Sequence, residues 1–142
     1  MSLFGQLLSD EIAITAEVPT VTGTTTIDST PVDMSGFSGV LFICRLGSPA
    51  ANNDIRAQQD VAVAMGAAAD LTGTKVASGA NNICVLELRQ PLEQFVRCRV
   101  TRGTTTTIDS LITIRYGARS LPVAVPAAVS FESWTAPAEG TA

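Results

Sequence analysis

The segment "EQFVRCRVTR", residues 93–102, alternates strictly. Val96, Cys98 and Val100 share one parity, and Phe95, Arg97, Arg99 and Thr101 share the other. A period of two is the pleat of a β-strand; wound on a helix, both sets would scatter round the axis. One face of this strand is expected in a core and the other toward water or a partner. The signal recurs along the chain. In "DEIAITAEV" (10–18), Ile12, Ile14, Ala16 and Val18 fall on one face. "GVLFICRL" (39–46) is apolar on both faces, as in a central strand of a sandwich. "DIRAQQDVAVAM" (54–65) places Ile55, Ala57, Gln59, Val61 and Val63 on one side, and "NNICVLELR" (81–89) and "TIDSLITIRYG" (107–117) complete the set. "GAAADLTG" (66–73) is the one stretch with a helical look, and its bounding glycines limit it to a turn or two.

The breaks "MSGFSG", "GSPAANND", "SGANN", "RQP", "TRG" and "YGARSLP" fall roughly 8–15 residues apart, the rhythm of an antiparallel sandwich or barrel. With 142 residues the chain suits a single core. The sequence divides into an N-terminal arm (1–9), a β-sandwich domain (10–119) and an extended C-terminal tail (120–142). No apolar run approaches the ~18–20 residues of a membrane span. The opening "MSLFGQLLSDEIAIT" lacks the basic region and cleavage site of a secretory signal. Leu3, Phe4, Leu7 and Leu8 read as an arm or helical turn docked on something apolar. In the tail, "SLPVAVPAAVSFESWTAPAEGTA" has no helical period, yet it carries Phe131 and Trp134. Large aromatics anchor interfaces, so the tail is expected to lie along another surface or subunit, or else folded back on its own core.

Net charge is −4 with no basic tail, which argues against generic nucleic-acid binding. Six of the nine basic residues nevertheless lie between Arg89 and Arg119. A fixed guanidinium fork suits carboxylates and carbonyls across an interface. Arg97 and Arg99 on one strand face, and Arg115 and Arg119 flanking Tyr116-Gly117, are therefore candidate contacts, with a solvated sheet face as the alternative. Cys44, Cys84 and Cys98 sit inside apolar strand-like runs; an odd count without C-x-x-C spacing points to buried free thiols, consistent with a reducing cytosol.

One phrase appears twice: "GTTTIDS" from Gly23 and "GTTTTIDS" from Gly103. Threonine favours strand, isoleucine gives an inward anchor, and Asp-Ser supplies turn-forming acceptors. Each copy is expected to be a loop entering a strand on a polar rim. The flanking sequences do not align, so this is not an internal repeat.

No catalytic set emerges. Histidine is absent, which removes the usual general base, the Ser-His-Asp triad and the commonest zinc ligand. The glycine-rich stretches lack a phosphate-loop lysine, and "DIRAQQD" lacks the ligand alternation of a calcium loop. No cofactor, metal or enzymatic activity is expected; the composition suits a protein whose work is contact.

The segments "VDMSGFSGVLFICRLG" (32–47) and "QPLEQFVRCRVTRGTTTTIDSLITIRYGARSLPV" (90–123), with the ending "PAEGTA" (137–142), resemble a family of small tailed-phage and prophage virion proteins, the capsid cement or decoration proteins. The likeness spans most of the chain. It implies a jelly-roll-like β-sandwich made in the host cytoplasm and placed on the capsid exterior. There it would bind the major capsid protein and itself, as a homodimer or homotrimer, with no nucleic acid or membrane partner. The candidate interface residues are Leu3, Phe4, Arg97, Arg99, Arg115, Arg119, Phe131 and Trp134. The alternatives are a glycan- or receptor-binding module of a head or tail fibre, and a minor head–tail structural protein.

Overall fold

The computed structural model describes residues 7–133 and 138–140. After one 3₁₀ turn (Leu8–Asp10) the regular elements among the described residues are all strands: β1 (Ala13–Ala16), β2 (Thr20–Gly23), β3 (Ile27–Asp28), β4 (Val32–Asp33), β5 (Gly39–Leu46), β6 (Asn53–Asp60), β7 (Ala69–Asp70), β8 (Val76–Ala77), β9 (Ile83–Arg89), β10 (Phe95–Arg102) and β11 (Thr106–Tyr116). The first sheet runs β1-β11-β5-β9, with β2 continuing β1 along β11. The second runs β3-β10-β6-β7, with β4 continuing β3 and β8 beside β6. Every pairing is antiparallel. With β1/β2, β3/β4 and β7/β8 counted as single interrupted strands, the sheets follow the 1-8-3-6 and 2-7-4-5 orders of a jelly roll. The expected all-β sandwich is the fold of the chain.

Parity builds the core. Val40, Phe42, Cys44 and Leu46 of β5 point inward, and so do Val96, Cys98 and Val100 of β10 and Ile55 and Ala57 of β6; in β11 a register shift between Ile108 and Ser110 switches the parity, so that Ile108 and Leu111 both face the core. The three cysteines are buried and unpaired. Burial pushes the Cys44 thiol up to about 12 and raises those of Cys84 and Cys98.

Two local expectations change. The 66–73 stretch forms turns and the two-residue β7 instead of helix. The strand through "DIRAQQDVAVAM" stops at Asp60, and Val61 and Val63 beyond it are exposed. The Asp60 carboxylate accepts the amides of Ala62 (3.1 Å) and Ala67 (2.8 Å), which turns the chain away from the sheet.

The two threonine phrases do enter strands, and they meet. Gly23 pairs with Thr106 where β2 runs beside β11. Between them lies Arg102, buried at 4% exposure. Its Nε donates to the Thr25 carbonyl (2.7 Å), and one terminal nitrogen donates to the carbonyls of Val21 (2.8 Å) and Thr106 (2.9 Å). Repeated local chemistry is thus joined at one end of the sandwich by a single guanidinium.

Candidate functional site

The two outer faces of the sandwich differ in kind. On the second sheet, β10 and β6 pair Arg97 with Gln58 and Arg99 with Arg56, which sets polar side chains in adjacent rows. Arg99 clamps Asp28 with two bonds (2.7 and 2.8 Å), Arg97 meets the same carboxylate at 3.2 Å, and its Nε donates to Gln58 at 2.8 Å. Gln58 donates to Asp70, and Arg56 bridges Asp70 and Asp54. The Arg99 bond holds Asp28 below the usual carboxylate range, and the Gln58 and Arg56 bonds do the same for Asp70. The predicted contacts Arg97 and Arg99 are therefore committed to a network within their own sheet.

The first sheet presents the opposite surface. Because β5 sends its even-numbered residues to the core, its outward residues are Leu41, Ile43 and Arg45. Pairing extends these into rows. Leu41 lies between Glu87 of β9 and Ile114 of β11, with Ile14 of β1 beyond. In the next row Ile43 lies between Val85 and Ile112, with Ala16 beyond. Ile83 stands beside Arg45. None of these side chains is buried, and Ile83 and Val85 are 53% and 49% exposed. The solvent face of an antiparallel sheet is ordinarily polar; this one is an aliphatic band across four strands.

Polar groups frame the band. Arg45 approaches Asp109 at 3.6 Å on one side. On the other, the Tyr116 hydroxyl donates to the Glu87 carboxylate. Burial, and then that bond, push the phenol up to about 12. The Tyr116 ring lies across Gly39, where an added Cβ would stand 2.2 Å from it, so only glycine admits the ring. At the β1 side the tail folds back on its own domain: the Val123 amide donates to the Asp10 carbonyl (2.8 Å), and Val125, Pro126, Val129 and Phe131 line a small hollow with Ile12 and Ile14.

Two other sequence-predicted residues, Arg115 and Arg119, are not brought to this band. Arg115 turns inward, with its guanidinium 4.6 Å over the Phe37 ring and a bond to the Asp33 carbonyl (2.7 Å). Arg119 borders an open cleft of about 540 Å³ with Met34, Phe37 and Leu92, at one end of the sandwich. Of the eight sequence-predicted residues, five lie among the described ones, and of these Phe131 alone sits beside the band. Leu3, Phe4 and Trp134 lie outside the described residues. The band itself, Leu41, Ile43, Ile112, Ile114, Ile83 and Val85, escaped the sequence reading, although "GVLFICRL" and "SLITIRY" carry its signal in apolar residues at both parities.

Among the described residues, no group of three or more Cys, Asp or Glu side chains is placed to hold a metal ion, and no helix is long and apolar enough to cross a membrane. In comparisons with known proteins, no family model, no curated protein and no solved structure matches the chain.

Proposed function

We propose that the chain is a structural cement protein of a tailed-phage head, seated on the outside of the shell and bridging neighbouring major capsid proteins. The observation that carries this reading is the aliphatic outer face of the β1-β11-β5-β9 sheet. Burying side chains such as Ile43, Ile112 and Val85 against a partner is worth about 1.5–3 kcal/mol for a complete burial, and less here because each is already partly covered. Such a surface binds by area and shape, which suits a role without chemistry. Bridging two shell subunits makes the second contact intramolecular, so modest contacts hold firmly. The segment resemblance at 32–47 and 90–123 is the reason for naming the major capsid protein as the partner in this reading.

The test is the copy number of this chain per major capsid protein in purified particles, measured with and without Ile43→Arg. A ratio near one, or a simple fraction of it, is expected for the native chain. The charged variant is expected to bind about thirtyfold more weakly, the effect of losing about 2 kcal/mol at an interface centre. A handful of copies per particle would move the protein to the portal, tail or fibre. Its absence from particles would end the cement reading. The glycan-binding alternative gains no observation here: Tyr116, the one tyrosine, is laid over Gly39 and bonded to Glu87.

A further inference from the structure

The edges of the two sheets are not equally protected. At the far edge of the first sheet, β1 and β2 have four residues each, Pro19 lies between them, and the β11–β2 register shifts between Thr106 and Ile108. The second sheet ends in two-residue segments on both sides. Short strands, prolines and bulges are the devices that keep edges from pairing with other chains. β9 has none of them. It is seven residues long, without proline, lysine or bulge, and among the described residues it pairs only with β5.

The direction of its free groups follows from the register. The Leu46 amide donates to the Asn82 carbonyl and the Gln90 amide to the Ser38 carbonyl. In an antiparallel ladder the hydrogen-bonded pairs recur at every second residue. Cys84, Leu86 and Leu88 therefore bond to β5. Ile83, Val85, Glu87 and Arg89 turn their amides and carbonyls to the open edge. The same four side chains are exposed on the outer face.

We propose that this edge pairs with β9 of a second copy, antiparallel about a two-fold axis through Leu88. A two-fold normal to the sheet sets odd-numbered residues opposite odd-numbered ones, so with the axis at Leu88 the free groups of Glu87 and Arg89 meet those of Arg89 and Glu87, while those of Ile83 and Val85 stay on the open edge. With the axis at Leu88, Glu87 of each copy faces Arg89 of the other. Charge complementarity chooses this register: an axis at Glu87 would oppose two carboxylates, one at Arg89 two guanidiniums, and one at Leu86 would leave each charge facing an aliphatic side chain, so only the axis at Leu88 pairs Glu87 with Arg89. Pairing stops just past Arg89, because Gln90 turns the chain with φ +49° and Pro91 has no amide donor. The contact is about four main-chain hydrogen bonds and the reciprocal ion pairs, which makes a reversible dimer. Pairing places the aliphatic bands of the two copies on the same face of one continuous sheet, staggered across the axis. The inference does not depend on what covers those bands.

Sedimentation equilibrium on the full chain tests it, using Glu87→Arg and Arg89→Glu separately, mixed, and combined in one chain. Both sites are exposed, and circular dichroism with a thermal midpoint checks that each variant folds. The native chain is expected to dimerise. Each single variant faces like charges across the axis and should dimerise about tenfold or more weakly. Mixing the two singles, or joining both changes in one chain, should restore dimers. A native chain still monomeric at about 1 mM would overturn the proposal. So would single variants that dimerise like the native chain, because the contact would then lie elsewhere. Cross-linking of Leu88→Cys, which would meet itself on the axis, only to a different polypeptide in isolated assemblies would assign the edge to that partner and overturn it too.

Discussion

Replacing Arg102 by Met should show how much of the fold depends on one buried guanidinium. Methionine keeps most of the apolar stem and removes the charge and all three hydrogen bonds to the carbonyls of Val21, Thr25 and Thr106. Bonds from a charged donor contribute roughly 1.5–3 kcal/mol each, and they do not add fully when one group makes them all. Two of the acceptors belong to the exposed β2–β3 end, where water can replace the guanidinium; Val21 is 84% exposed. The third belongs to Thr106, at 1% exposure, and stays dry. The expected loss is therefore about 3–4 kcal/mol, a large share of the roughly 5–15 kcal/mol that holds a domain folded. In urea denaturation, with a slope of about 2 kcal/mol/M, the midpoint should fall by about 1.5–2 M. Arg99→Met, which breaks a partly exposed pair with Asp28, should cost less than about 1 kcal/mol. A loss below about 1 kcal/mol for Arg102→Met would refute the reasoning. It would mean that desolvating the guanidinium already cancels the bonds it makes.

Gly39→Ala should cost about 1–3 kcal/mol, because its Cβ would displace the Tyr116 ring, and the penalty should largely vanish in a Tyr116→Ala background. Equal penalties in the two backgrounds would show that the ring contact is not the cause. Stability should fall in acid. Asp28, held low by Arg99, Asp60, held low by the Ala62 and Ala67 amides, and Asp70, held low by Gln58 and Arg56, all titrate below the ordinary value of 3.8. The unfolded chain then binds more protons, so their contribution is complete above pH 3.8 and lost as pH drops through the native values. Asp28→Asn should flatten that part of the stability–pH curve, measured by urea midpoints in a pH series; an unchanged slope would count against the Arg99 bond as its origin.

Strand identity was legible because a two-residue period is a local property. Val96, Cys98 and Val100 declare their face without reference to the rest of the chain, and the turn residues of "GSPAANND" and "SGANN" mark where pairing must stop. The all-β sandwich followed from these alone. Its limits were legible too wherever the signal was strong. They failed at Val61 and Val63, where a carboxylate one residue upstream captured nearby amides and ended the strand. Periodicity cannot register that competition, because apolar residues continue past it.

What periodicity could not say is which face of a doubly apolar strand meets the core, or what lies beside it. Ile12, Ile14 and Ala16 do share a face, but it is the outer one, and Ala13 goes inward at 3% exposure. The aliphatic band exists because antiparallel register aligns Ile14, Ile114 and Leu41, and then Ala16, Ile112, Ile43 and Val85, from segments far apart in the chain. The same register closes Arg97 and Arg99 onto Asp28 and draws Arg102 between two threonine phrases. A sequence determines which residues alternate, since that depends on the pleat of a single strand. Which arginine is spent inside the fold, and which apolar row is left facing out, depends on the strand that pairs next to it, and only the tertiary structure chooses that neighbour.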